Sequence, residues 1–225
     1  MENEDRKYSP LKILFAVLLF GGIWGIIEAS VGTLLHMIPH GTRTIFWSST
    51  TVLLPIAYFL MGACYKKTGV ARSAVYMGLF AGAIKLLSAV IFRSNYEPAI
   101  YMVIESACMT LALLAIRPKK VISFTGLGVF ILASTSYLLA TTGYRLASAT
   151  EVTGQVVLDN ITKYVLTYNC VAILYAFAIG AIIFGIIKLV EHFSWNLDSV
   201  KKVIYSPITA GVIASAMVVV TFLVR

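Results

Sequence analysis

Charge is scarce in this chain. Of 225 residues only 12% are charged and 59% are hydrophobic, whereas charged residues make up roughly a quarter of a soluble domain. With a mean hydropathy of +0.88, that shortage excludes an ordinary soluble fold. Cysteine is scarce too: Cys64, Cys108 and Cys170 cannot build a disulfide framework and show no CxxC spacing, so they read as small core residues. Acidic residues number 10 against 18 basic ones. The basic residues lie in short clusters between apolar runs rather than on one polar face, which argues against nucleic acid as a partner. There is no Walker A loop, GxSxG elbow, HExxH helix or dinucleotide fingerprint, and the enzyme classes that depend on those motifs fall away with them. No metal-ligand set stands at a recognised spacing, and neither a metal nor a cofactor is expected.

Long apolar runs are abundant. Each is long enough to cross a hydrocarbon core of ~30 Å as one helix, which excludes a barrel of strands alternating over ~10 residues. The pattern predicts an all-α fold, a polytopic transmembrane helical bundle of six to seven spans. These form a single integral membrane domain over 1–225, with spans at about 12–37, 45–65, 70–92, 98–116, 121–141, 164–189 and 203–224. Turn-forming residues separate them: Pro39 with Gly41, 66–69, 95–98 and 117–120. Only one connection is long, 142–163, and it has room for a short amphipathic or re-entrant segment capping a site.

Lysine and arginine alternate along the connections. Arg6, Lys7 and Lys12 precede the first span; Lys66, Lys67 and Arg72, then Arg117, Lys119 and Lys120, then Lys188, Lys201 and Lys202 follow at every second connection. The connections between hold only Arg43, Arg93, Arg145 with Lys163, and Arg225. The positive-inside rule therefore predicts a cytoplasmic N-terminus in a plasma membrane of prokaryotic type. The last span is the exception, because it could instead lie on the surface.

Ionisable groups inside apolar runs cost a few kcal/mol each, and are kept where they face protein or a watery cavity. Here they are Glu28, His36, Lys85 and Glu105. On a regular helix Gly21, Gly25, Glu28, Gly32 and His36 fall within an arc of about 80 degrees, and Gly78, Gly82, Lys85 and Ala89 repeat the spacing on the third span. If these small-residue stripes face each other, Glu28 meets Lys85. Lys85 lies about 12 Å below Arg93 and Glu105 about 10 Å below Pro98, so three charges from three helices are expected at one depth. Ser134, Thr135, Ser136 and Tyr137 on the fifth span, and Tyr164, Thr167, Tyr168 and Asn169 on the sixth, share that level. A polar pocket open to the outside follows, with Glu28, Lys85 and Glu105 as principal substrate-binding candidates and His36, Tyr137 and Asn169 as weaker ones. The bland alternative is a Glu28–Lys85 pair that only fixes helix register, which leaves Glu105 surplus. His36 and His40 read first as interfacial histidines of a turn, with metal or substrate contact as the sharper alternative, for which no Cys or carboxylate completes a ligand set.

The segment Gly21-x2-Trp24-Gly25-x2-Glu28-Ala29-x2-Gly32-x3-His36 resembles substrate-binding S components of energy-coupling factor transporters, the likeness covering mainly residues 1–116. That resemblance implies high-affinity capture of a vitamin, vitamin precursor or metal ion from outside. It also implies transport driven by a transmembrane coupling subunit and two ATPases, with Ala16, Gly21, Gly22 and Gly25 as a docking face for the coupling subunit, although the same glycines could pack within the chain. Two other classes stay open: an accessory or structural subunit of a larger membrane complex and, with less support, a membrane-embedded enzyme. The chain is expected not to be an enzyme.

Overall fold

The structure, a computed structural model, describes residues 9–37, 49–93, 95–118, 120–121, 123–148, 151–192 and 197–224, some of them in backbone only. Those residues are all-α. Helix α1 (Pro10–Ile27) runs without a break through a π-helical turn (Glu28–Gly32) into α2 (Thr33–Met37). Then follow α3 (Ser49–Thr68), α4 (Ser73–Phe92), α5 (Glu97–Ile116), α6 (Phe124–Ser148), α7 (Glu151–His192), α8 (Leu197–Ile204) and α9 (Pro207–Leu223).

Local chemistry sets the helix starts. Proline opens α1 and α9 and stands in the first turn of α5, where its missing N–H costs nothing. The Ser123 hydroxyl accepts from the Gly126 N–H at 3.0 Å, and Ser206 accepts from Thr209 at 3.1 Å, each capping a first turn. Three helices end on a left-handed residue: Gly69 after α3, Arg93 after α4 and Arg117 after α5.

Among the described residues five helices are long and apolar enough to cross a membrane: Pro10–Leu35, Ser73–Phe92, Glu97–Ile116, Phe124–Tyr144 and Val165–Val190. This is an integral membrane protein. Helix α3 matches them in length but is less apolar, and α9 is a shorter apolar helix of 17 residues. Large apolar side chains such as Leu79, Val90, Leu111, Leu174 and Ile182 stay exposed on the outside of the bundle, as a lipid-facing surface requires. The interior is filled by Trp24, Phe130, Leu138 and a set of buried methionines, Met61, Met77, Met109 and Met217, whose flexible side chains fill irregular gaps.

Contacts across the bundle order its two ends. At one end Lys67 of α3 lies over the Tyr205 ring before α9, Phe20 of α1 meets the same ring, and Tyr58 of α3 reaches the start of α6. At the other, Phe92 of α4 packs on Phe222 of α9, Ser88 donates to the Thr221 carbonyl, and Tyr101 of α5 packs on Tyr144 of α6. Successive long helices thus alternate in direction, and α9 traverses the bundle with Ala210, Met217 and Thr221 buried. It is not the surface helix that the sequence left open for it; α8, short and strongly amphipathic, has that character.

Two expectations are corrected here. The stretch 142–163 is not a long connection: α6 continues to Ser148 and α7 begins at Glu151. Its apolar residues Val157 and Ile161 stand in the same three- to four-residue spacing as buried Val165, Asn169, Ala172 and Ala176 further along, so the helix carries on past the apolar run. The small-residue stripes do not face each other either. A Cβ on Gly21 would meet Met77 and Phe80 of α4, but one on Gly25 would collide with Met217 of α9, and one on Gly78 with Ser106 of α5. A Cβ on Gly82 would lie 3.1 Å from the Ala99 carbonyl oxygen of α5. The glycines of one helix therefore serve several close contacts.

Candidate functional site

The π turn places the first of the three charges. Glu28 opens it, and the wider turn lets the Ser30 hydroxyl donate to the Ile26 carbonyl and the Thr33 hydroxyl to the Ala29 carbonyl, both at 2.6 Å. Hydroxyls thereby take up carbonyls along the interrupted α ladder. The Glu28 side chain leans along its own helix toward Gly32, where a Cβ would stand 3.7 Å from Oε1 and 3.4 Å from Leu53 of α3. A Cβ at 32 would therefore make ordinary van der Waals contact with the carboxyl.

Lys85 on α4 and Glu105 on α5 complete the group. Glu28 and Lys85 lie within Coulombic reach of each other, as do Glu28 and Glu105. All three are half-buried. The structure therefore brings together the three principal candidates, from three helices, although the stripe geometry that first linked two of them does not hold.

Glu105 is the group that remains unresolved by its surroundings. Its Oε1 is buried and has no hydrogen-bond partner among the described residues. Beside it is a void of about 10 Å³, bounded by Leu54, Tyr58 and Met61 of α3, Met109 of α5, and Phe130, Ala133 and Ser134 of α6. That is room for about one water. A buried carboxyl oxygen requires a donor or a cation, and nothing in this apolar lining supplies one: the Ser134 hydroxyl donates to the Ile131 carbonyl, and the Tyr58 hydroxyl to the carbonyls of Gly126 at 2.5 Å and Val121 at 3.2 Å.

Two of the weaker candidates are buried. Asn169 of α7 is buried and donates through Nδ2 to Thr135 Oγ1 of α6 at 3.0 Å, while its Oδ1 has no partner among the described residues. Tyr137 is buried on α6, one turn beyond Ala133. His36 is helical in α2 but its side chain lies outside the described residues, as do Pro39, His40, Gly41, Trp47 and the rest of 38–48. Among the described residues no cluster of three His, Cys, Asp or Glu side chains could hold a metal ion.

No known protein family, curated protein or solved structure matches this chain. The site is therefore read from its own chemistry. Two carboxyls and one ammonium inside a helical bundle suit a small solute bearing a positive charge, alone or beside a negative one. Composition could not reveal the π turn, although the run of Ser30, Gly32 and Thr33 directly after Glu28 was its one signal. Ala16, Gly21, Gly22 and Gly25, expected as a docking face, are buried within the chain, with Gly22 against Ile213 and Ala214 of α9. They offer no face for another subunit.

Proposed function

We propose that the chain is the substrate-capture subunit of an uptake system for a small polar molecule, of the energy-coupling factor S-component kind, in a prokaryotic plasma membrane with its N-terminus in the cytoplasm. The observation that carries this reading is the Glu28–Lys85–Glu105 group, with a buried Glu105 oxygen that lacks a donor among the described residues beside a small void. Groups that cost so much to keep inside a membrane are retained where a ligand or ion meets them. At about 10 Å³ the void admits no vitamin, so a solute of that size would enter only as the helices around Glu105 separate. The energising partners, a coupling subunit and ATPases, belong to the same proposal.

The test is ligand extraction from gently purified protein followed by mass spectrometry, with calorimetry on the solute recovered. Glu28→Gln and Glu105→Gln should each weaken binding about 10- to 100-fold, the value of a charged hydrogen bond of roughly 1.5–3 kcal/mol. Identical binding by parent and variants, or no retained solute at all, sinks the proposal.

One observation favours a second reading. Only 18% of the apolar window of Val165–Val190 is buried, leaving a wide face on α7. An accessory subunit of a larger complex would use such a face, and its charge trio would serve assembly. In that case Lys85→Met reduces co-purification of partner subunits and the isolated protein carries no solute.

A further inference from the structure

A second cavity, far along the helices from the charge trio, opens at the lysine-bearing end of the bundle. It lies between the start of α1, the end of α3 and the start of α9, and holds about 410 Å³. Phe15, Leu19 and Ala210 form an apolar floor, while Lys12 and Lys67 stand at the exposed rim with Tyr205 and Ser206. Among the described residues none of the lining side chains is acidic. The Lys67 ammonium sits 3.9 Å from the centre of the Tyr205 ring, which fixes its position at the rim through a cation–π contact. Ser206 already caps Thr209, so the lysines rather than the helix terminus carry the charge. Directly before the cavity runs amphipathic α8, with Lys201 and Lys202 exposed, the character of a helix that lies at a membrane surface.

From this geometry we infer a binding site for one anionic phospholipid of the leaflet on the lysine-bearing side. Its phosphodiester lies between the Lys12 and Lys67 ammoniums, and the glycerol and first acyl carbons rest on Phe15, Leu19 and Ala210. Charge complementarity selects the ligand. Two cations with no carboxylate among the described lining residues match a headgroup of net negative charge and leave a choline ammonium without a counter-ion. The apolar floor selects a lipid over a soluble phosphate, which would leave that surface uncovered. The site is independent of the solute-capture reading.

The experiment is native mass spectrometry of the full chain in detergent, titrated with phosphatidylglycerol, with phosphatidylcholine or with inorganic phosphate. One phosphatidylglycerol should be retained in preference to phosphatidylcholine, and inorganic phosphate should not bind. A lysine near an anionic headgroup contributes roughly fivefold in affinity. The K12Q/K67Q double variant should therefore lose roughly tenfold or more. Lys66 and Lys120 are exposed at the same end but outside the cavity lining, so K66Q/K120Q removes the same charge and should leave retention within about twofold. Equal loss in both double variants means diffuse attraction to a basic surface and overturns the site. Unchanged retention in K12Q/K67Q, or competition by inorganic phosphate alone, overturns it as well.

Discussion

Arg93 and Arg117 are the only residues other than glycine with positive φ among the described residues, at 54 and 48 degrees, beside Gly69 at 68 degrees. All three close a helix: the Gly69 N–H donates to the Tyr65 carbonyl at 2.7 Å and the Arg117 N–H to Leu113 at 2.9 Å. A side chain costs about 1 kcal/mol in this conformation, but a cation at a helix C-terminus recovers part of it. Gly69→Ala should therefore lower stability by about 1 kcal/mol, while Arg117→Gly should raise it by about half as much. Thermal unfolding in detergent reads both, and a stabilised Gly69→Ala contradicts the argument. The charges inside the membrane were legible at this scale because a lone Glu or Lys in an apolar run has no other explanation. The π turn was hidden, since it depends on hydrogen-bond register that no residue type encodes by itself.

Helix contacts turn on a few interlocking positions. The Tyr58 hydroxyl ties the middle of α3 to the first turn of α6, and its ring packs edge-on against Phe130 with centroids 5.0 Å apart. Tyr58→Phe keeps the ring contact but leaves the Gly126 and Val121 carbonyls without this donor. It should cost about 1–2 kcal/mol, measured as a lowered unfolding midpoint with unchanged helix content by circular dichroism. Gly78 has no such tolerance, because Ser106 and the Met102 carbonyl of α5 occupy the space of a Cβ. Gly78→Leu should drive α4 from α5 and abolish accumulation of folded protein, whereas Gly211→Leu, with open space at its Cβ, should be nearly neutral. The positions of the long helices were readable from apolar length. What could not be read was which neighbour each glycine serves, because a stripe on one helix does not say how many helices surround it. The extension of α7 back to Glu151 was missed for a related reason: polar Glu151, Asp159 and Asn160 look like a loop until the spacing of Val157, Ile161 and Val165 is joined to that of the buried face beyond.

Across the whole molecule, Lys12, Lys66, Lys67, Lys120, Lys201 and Lys202 belong to helix ends and turns at one end of the bundle, while Arg93 and Tyr96 belong to the other. If the positive-inside rule sets orientation, then in a background with Cys64, Cys108 and Cys170 replaced, Lys120→Cys should react with an impermeant maleimide only in inside-out vesicles. Tyr96→Cys should react only in right-side-out ones. The reverse pattern would place the charge trio nearer the cytoplasm and remove the case for capture from outside.

The wide turn at 28–32 has a consequence for how the far stub of the first helix is aimed. That circuit spends one residue more than an ordinary coil would. Rewinding it as ordinary coil with no residue lost would swing residues 33–37 by about 100 degrees and push them out by about 1.5 Å. Losing a single codon there, that of Val31 for example, would instead let an ordinary coil close in its place and leave them aimed nearly as before. One surplus amino acid is thus taken up within a single circuit, and trimming it should straighten the ladder without re-aiming the stub beyond.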